Sequence, residues 1–368
     1  MDFNLTPEQV DAAALARSIL ADRVTIDRQK AVEGTGVRHD AELFAELGEA
    51  GLVGLALPDE CGGAGLTFQE LCSVVTEVGR VVAPVPLAWH GPSALALAEF
   101  GTPDQKQTWL PRAAAGTVVI TSALSEERAD IPEQPLTRAV REGDGWVVTG
   151  SKALVAGGTV AELFLVPAST DEGVTVFLVQ PGDGGVTVEA QAVSDGDQVA
   201  RLELEGVRLG ADRVLAGDDV ASWLAAHVTT SLCALQLGIT EGALELTSAY
   251  AKERTQFGRP IGSFQAVSQR LADGYIDVLG LRLTTWQAVW RLTERLPAEL
   301  EVATAKLWAA DTGHKLAHTT VHVHGGVGID LDGTAHRYFT TAKRIELMLG
   351  GSTTQARAIG RVLAAEPA

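Results

Sequence analysis

The spacing of apolar residues divides the 368-residue chain into three blocks. From Thr6 to about residue 100, apolar positions recur at helical intervals, and Thr6 is a predicted N-cap ahead of Pro7. The buried stripe of this first helix is predicted to comprise Ala12, Leu15, Ile19 and Leu20. Between residues 117 and 209 the segments become short and β-branched, with glycine and aspartate clusters between them, which is typical of an antiparallel sheet or small barrel.

After Gly217 the helical period returns and continues to the end of the chain. The longest uninterrupted run, from about Phe264 to Arg295, places Val267, Leu271, Val278 and Leu281 on one stripe. Helices, then strands, then helices predict an α+β fold in segregated blocks and argue against the alternating pattern of a Rossmann domain. We expect a helical domain over residues 1–116, a β domain over 117–217 and a second helical domain over 218–368.

Charge and cysteine content narrow the choice of partner and compartment. The chain has 29 basic and 47 acidic side chains and a net charge of −18, which argues against nucleic acid and anionic membranes as partners. Three cysteines without paired spacing predict neither a disulfide framework nor a metal site. The first residues lack the pattern of a targeting segment, and prolines interrupt the apolar stretch over residues 81–100. We therefore expect a soluble, cytoplasmic protein.

Three short motifs carry candidate chemistry. In RTQFGRPIGSFQ, residues 254–265, an arginine beside an aromatic ring and a glycine turn suits a pyrophosphate, or simply a corner between two helices. In VHVHGGVGID, residues 321–330, glycines allow the backbone to approach a phosphate, although a glycine-rich loop between helices is more often a simple turn. The two histidines are predicted to pack rather than bind metal. In GGSTT, residues 350–354, the hydroxyls suit a bound anion or their own helix.

Taken in order, these motifs resemble the acyl-CoA dehydrogenase family over nearly the whole chain. The resemblance also rests on LPDECGGAGL (57–66), GTPDQKQTWLPRAAAG (101–116) and GDGWVVTGSK (143–152). It implies an N-terminal helical domain, a central antiparallel β domain and a C-terminal four-helix bundle that serves FAD binding and oligomerisation. It further implies FAD-dependent oxidation of the Cα–Cβ bond of an acyl-CoA thioester, with an electron-transfer flavoprotein or similar acceptor.

This chain departs from the family at the catalytic base. The family's glutamate stands before a Gly-Thr pair near the C-terminus, where this sequence has Gly350, followed by Gly351 and Ser352. A subgroup carries the glutamate on an earlier helix, and the matching position here is Val228. The resemblance therefore implies that this chain has no catalytic residue of its own. Loss of a positioned general base lowers a rate by about 10²–10⁴-fold.

The family's own-subunit flavin contacts are also largely replaced. The segment that lines the flavin and acyl site appears here as Ser125, Glu126 and Glu127, followed by Arg128, Ala129 and Asp130. The family's Trp-Ile-Thr segment appears as Leu154, Val155 and Ala156, without the aromatic wall or the hydroxyl.

Residues that in this family reach the FAD of the neighbouring subunit are mostly kept. Arg254 and Phe257 match the arginine and phenylalanine that reach its pyrophosphate and adenosine end. The remaining predicted cofactor-binding residues are the helix-start Gln265, the glycine pair Gly325 and Gly326, and His322, which replaces a glutamine.

Selective loss of the own-subunit site gives the leading hypothesis. The chain resembles the glutamate-less, non-catalytic subunit of actinobacterial α2β2 enzymes that dehydrogenate steroid or cholesterol side-chain CoA thioesters, in which the homologous catalytic partner binds most of the acyl-CoA. One alternative is a homo-oligomeric flavoenzyme with a displaced base at Glu126, Glu127 or Glu241. Another is a flavin-free scaffold or acyl-CoA-binding protein.

Overall fold

The computed structural model describes residues 6–127 and 134–365, and its N-terminal part is helical. The helices are α1 (Pro7–Arg23), α2 (Ile26–Gly34), α3 (Ala41–Glu49), α4 (Phe68–Arg80), α5 (Leu87–Phe100) and α6 (Pro103–Ala114). Thr6 caps α1 as predicted, in a capping box with Gln9. The buried stripe of α1 is Gln9, Ala12, Ala16 and Leu20. The predicted inclusion of Leu15 was wrong, because Leu15 points away from this stripe and is 46% exposed.

The middle of the chain forms one eight-stranded sheet. Its strands are β1 (Ile120–Ser122), β2 (Arg138–Glu142), β3 (Gly145–Ala156), β4 (Leu163–Thr170), β5 (Gly173–Val179), β6 (Val186–Gln191), β7 (Val199–Leu209) and β8 (Val214–Leu215). The strand order is β6-β7-β3-β2-β4-β5-β8, with β1 beside β4. Most neighbours are antiparallel as predicted, but β1 and β2 each pair with β4 in parallel.

Long helices make up most of the remainder. They are α7 (Val220–Glu253), α8 (Gln265–Thr293), α9 (Glu299–His324), α10 (Ala335–Leu347) and α11 (Ser352–Ala365). A two-stranded hairpin, β9 (Thr255–Gln256) and β10 (Arg259–Pro260), connects α7 to α8. The predicted order of helices, strands and helices is therefore confirmed.

Helix α7 is the one described helix that is long and apolar enough to cross a membrane. However, 83% of its most apolar stretch is buried within the structure. Burial of this kind is typical of the core helix of a soluble protein.

The described residues fall into two compact units. The first comprises residues 6–30, Cys72–Ala83 and 232–365, and it contains the C-terminal half of α7 with α8 to α11. The second comprises Ala31–Leu71 and Pro84–Ser231, and it contains the sheet. In the first unit α7 approaches α4 at Gly238, where a Cβ would lie 1.8 Å from the Thr76 carbonyl oxygen, so only glycine allows this contact.

Candidate functional site

The hairpin between α7 and α8 exposes an aromatic residue whose backbone conformation is strained. Gln256 pairs with Arg259, and the two residues between them, Phe257 and Gly258, have φ angles of 53° and 79°. Both angles are positive, as in the type I′ turn, which normally takes asparagine or glycine. Phe257 nevertheless occupies the first position and is 93% exposed. Phe257 meets Phe264 edge-on, with 6.1 Å between the ring centroids, but most of its ring stays in water. Backbone strain at such an exposed residue is characteristic of functional sites.

Two features near this hairpin favour an anion. The Arg254 side chain is exposed, and no ion-pair partner is present for it among the described residues. Helix α8 begins at Gln265 without a side-chain cap at Phe264. The N–H groups at the start of a helix attract anions, and an arginine guanidinium suits phosphate oxygens. The structure therefore places Arg254, Phe257 and Gln265 together at one exposed connection.

The glycine pair follows the end of α9. The Gly325 N–H donates to the carbonyls of Val321 and His322, and Gly325 turns the chain with a φ of 63°. A Cβ built on Gly325 or Gly326 meets no atom of the described residues within 4 Å. Open space beside exposed backbone is the environment in which a phosphate-containing ligand can approach closely. His322 is exposed beside this turn, so the prediction that this histidine packs was wrong.

A stacked ring pair joins these two groups of residues. The rings of Tyr250, on the last turns of α7, and His324, the last residue of α9, lie 4.3 Å apart at an interplanar angle of 21°. His324 thus packs as predicted, whereas sequence reasoning missed Tyr250. The sequence does show an aromatic residue one helical turn before Arg254. It does not show that this residue stacks on His324, because His324 lies on another helix.

Gly350, which the resemblance aligns with the family's usual base, lies in a turn that disfavours a side chain. Gly350 has a φ of 92°, and a Cβ there would lie 2.8 Å from the Thr354 methyl and 3.0 Å from Gln355 Nε2. The same Gln355 amide donates to the carbonyl of Leu349 at 2.9 Å. Ser352, which begins α11, donates its hydroxyl to Asp311 instead of capping the helix. The turn is therefore satisfied by the chain's own groups.

The second possible base position is apolar. Val228 is buried on α7, next to His227, whose ring stacks on Trp223 at 3.5 Å and also contacts Phe68. Burial lowers the pKa of His227 to about 4, although its hydrogen bond to the Trp223 carbonyl acts in the opposite direction. This histidine is therefore neutral near pH 7.

Glu126, one of the alternative bases, is held in a buried ion pair. Its carboxylate accepts hydrogen bonds from Lys152 Nζ at 2.6 Å, from the Leu136 N–H at 2.6 Å, and from the Thr137 hydroxyl at 2.7 Å. Burial alone would raise the pKa of Glu126, but Lys152 and Thr137 outweigh it and hold the pKa below its usual value. A carboxylate stabilised in this way is a weak proton acceptor.

The other two candidate bases are also paired. Glu127 forms an ion pair with Arg201. Glu241 lines a cavity of about 610 Å³, but its carboxylate lies between Arg80 and Arg282, with 2.6 Å between Arg282 Nη2 and Glu241 Oε1. Each carboxylate would have to break an ion pair before it could accept a substrate proton.

The segment that the resemblance aligns with the family's Trp-Ile-Thr includes a second residue with a strained backbone. Leu154 has a φ of 54°, lies at an irregularity of β3, and donates its N–H to Gln191 Oε1 at 2.8 Å. Val155 and Ala156 are buried. Arg128, Ala129 and Asp130 lie outside the described residues.

Comparison with known proteins identifies the family. Models of the acyl-CoA dehydrogenase N-terminal, middle and C-terminal domains match residues 6–117, 121–207 and 216–364. The chain is 46% identical to acyl-CoA dehydrogenase FadE27 of Mycobacterium tuberculosis, with both chains covered completely. Because family models match most of the chain, it belongs to the acyl-CoA dehydrogenase family of oxidoreductases. The resemblance predicted from the sequence is confirmed.

Two solved structures are particularly similar. The crystal structure of the ChsE4-ChsE5 complex from Mycobacterium tuberculosis contains a chain with a TM-score of 0.96 and 46% identity, with both chains covered completely. A variant of the Tcur3481-Tcur3483 steroid ACAD contains one with a TM-score of 0.93 and 40% identity, covering 97% of this chain and 98% of the other. Both structures are named as assemblies of two components.

Proposed function

We propose that this chain is the non-catalytic subunit of a heteromeric, FAD-dependent acyl-CoA dehydrogenase and completes the flavin site of a homologous catalytic subunit. The hairpin at residues 254–260 carries the proposal. Phe257 has a positive φ and leaves most of its ring in water despite its edge contact with Phe264. Arg254 is exposed and has no ion-pair partner among the described residues. Both become useful once a partner subunit brings an anionic dinucleotide against them.

The residues present fit an FAD molecule. Arg254 and the uncapped start of α8 would hold its diphosphate, and Phe257 would pack against the nucleotide end. The open space at Gly325 and Gly326 would admit the cofactor close to the backbone. The exposed side chains of Gln265 and His322 would add hydrogen bonds to the cofactor. When bound, FAD supplies the acceptor for the hydride that leaves the acyl Cβ.

The catalytic base is assigned to the partner. Gly350 has no side chain, Val228 is apolar, and the three alternative carboxylates are held in ion pairs. A homo-oligomeric enzyme with a displaced base is therefore the weaker proposal. We place the acyl-CoA mainly on the catalytic subunit.

The similar complexes suggest the substrate class and the assembly. One is named a steroid ACAD, and both are two-component assemblies, which supports an α2β2 complex with a homologous partner. We propose a steroid or cholesterol side-chain CoA thioester as substrate, in the cytoplasm, with an electron-transfer flavoprotein or similar acceptor.

The first experiment compares the chain alone with the chain co-expressed with a catalytic homologue. Flavin per protein and dye reduction with a steroid side-chain acyl-CoA are measured for both samples. We expect flavin and turnover only in the complex. Full FAD occupancy and turnover by the chain alone would refute the proposal and favour the homo-oligomeric enzyme.

A second experiment separates a shared flavin site from a scaffold. Arg254→Ala in this chain is expected to weaken FAD retention by the complex about tenfold or more, because a charge-assisted phosphate contact is lost. Arg138→Ala is the control, since Arg138 is also exposed but lies on the sheet. Unchanged flavin content in Arg254→Ala would support the flavin-free scaffold instead.

A further inference from the structure

The stacked rings of Tyr250 and His324 join the two helix ends that carry the candidate cofactor contacts. Tyr250 is four residues before Arg254, whose N–H donates to the Tyr250 carbonyl at 2.9 Å. His324 directly precedes Gly325. The 4.3 Å contact between the rings therefore joins the helix end next to Arg254 to the helix end next to Gly325.

The His324 ring has a fixed orientation. Its Nδ1 lies 2.8 Å from the Thr320 carbonyl oxygen, and a carbonyl can only accept, so Nδ1 carries the proton. The ring is 9% exposed and belongs to the seam between α7 and α9. One turn earlier in this seam, the hydroxyls of Thr247 and Thr320 are 3.2 Å apart. Tyr250 therefore stacks on a ring that is itself held by α9.

Backbone hydrogen bonds connect each ring to a candidate contact. The Arg254 carbonyl accepts from the Ile261 N–H at 2.8 Å, so the hairpin is tied to the end of α7 that carries Tyr250. On the other side, the Gly325 N–H donates to the last carbonyls of α9, directly beside His324. The ring contact therefore couples the end of α7 that precedes Arg254 to the end of α9 that precedes Gly325.

We infer that Tyr250 and His324 are positioning residues that hold Arg254 and the Gly325–Gly326 turn at the separation needed to bind one dinucleotide diphosphate. This inference rests on the proposed function. Neither ring has to touch the cofactor. Their contribution is to fix the distance between two groups that would each contact it, and such preorganisation increases affinity by reducing the ordering required on binding.

The test uses the complex with the catalytic subunit, stripped of flavin and titrated with FAD while flavin fluorescence is recorded. Tyr250→Leu is expected to weaken FAD binding about tenfold, since a stacked pair contributes on the order of one factor of ten. Tyr250→Phe keeps the ring and is expected to bind FAD as the unmodified complex does. His324→Leu removes the ring from the other side and is expected to match Tyr250→Leu.

Phe339→Leu is the matched control. Phe339 also packs edge-on against a histidine of α9, His318, at 5.4 Å, but it lies on α10. This variant is expected to leave FAD affinity unchanged. Equal weakening by Phe339→Leu and Tyr250→Leu would overturn the inference, because it would indicate general loosening of the helices.

A double-mutant cycle separates this inference from the proposed function. If Tyr250 acts through Arg254, Tyr250→Leu should have little further effect once Arg254→Ala is present. Additive effects would overturn the positioning role. If Arg254→Ala weakens FAD binding and neither ring variant does, only the inference fails. If none of these variants changes FAD binding, the proposed function fails as well.

Discussion

Replacement of Gly350 by alanine tests whether the family's usual base position has been closed by the backbone. At a φ of 92°, a residue with a Cβ is strained, and left-handed backbone costs about 1–2 kcal/mol for an L-residue. The new Cβ would also lie 3.0 Å from Gln355 Nε2, which donates to the Leu349 carbonyl at 2.9 Å. Loss of that hydrogen bond adds about 0.5–1.5 kcal/mol. We therefore expect Gly350→Ala to lower the free energy of unfolding by about 2–3 kcal/mol.

The adjacent glycine provides the control. A Cβ on Gly351 would lie 3.6 Å or more from its nearest neighbours, which is ordinary contact, and its φ is not in the left-handed region. Gly351→Ala should therefore be neutral, or stabilising by about 0.4–1 kcal/mol because the unfolded chain loses freedom. Guanidinium denaturation followed by tryptophan fluorescence measures both variants. Equal stability of the two alanine variants would refute the geometric reasoning.

The same geometry predicts the outcome of restoring the glutamate. Gly350→Glu should lose about as much stability as Gly350→Ala, because the penalty arises at the backbone and Cβ. The chain alone should still not oxidise an acyl-CoA, since the flavin contacts at Leu154 and its neighbours remain replaced. A stable Gly350→Glu chain that retains flavin and turns over alone would contradict the assignment of catalysis to a partner.

Three further predictions follow from the described contacts. Glu126→Gln should destabilise the chain by about 3–5 kcal/mol, because it leaves Lys152 buried without its counter-charge. Glu127→Gln removes an exposed ion pair and should cost less than about 1 kcal/mol. The free energies of unfolding of the two variants are measured and compared. His227→Phe should make stability fall less steeply as the pH drops below 6.5. The reason is that the pKa of His227 is about 4 in the folded chain, so the unfolded state binds more protons between pH 6.5 and 4. An unfolding midpoint with the same pH profile in both proteins would reject this prediction. Gly326→Ala, which adds a methyl group in open space, should leave the chain's thermal stability unchanged but weaken FAD retention by the complex, and Gly360→Ala on α11 is the control for flavin content.

The order of the blocks could be predicted because periodicity reports which face of an element is buried. The details failed where burial depends on contacts beyond the element. Leu15 fits a helical stripe as well as Ala16 does, but only Ala16 faces the core. Val267 and Leu271 lie on the predicted stripe of α8 and are only half-buried, because the first part of this helix has little cover within the chain.

Pairing between distant segments could not be predicted from local pattern. The parallel pairing of β1 with β4 depends on a long-range register, for which neither segment carries a signal. The contact between Tyr250 and His324 joins two helices that are far apart in the sequence. Arg254 and the glycine pair were named from the family motif, and the structure shows their exposure, but their role at a cofactor stays a prediction.

In a chain with a net charge of −18, it is unusual that Arg254 has no ion-pair partner among the described residues. In a chain with 47 acidic and 29 basic side chains, carboxylates are available for almost any arginine. Arg80, Arg201 and Arg282 each form an ion pair with at least one of them. The side chain of Arg254 remains exposed beside a strained phenylalanine that is also exposed. Because Arg254 and Phe257 lie in one connection, the anion that we propose a partner subunit brings would supply the counter-charge and the covering surface together.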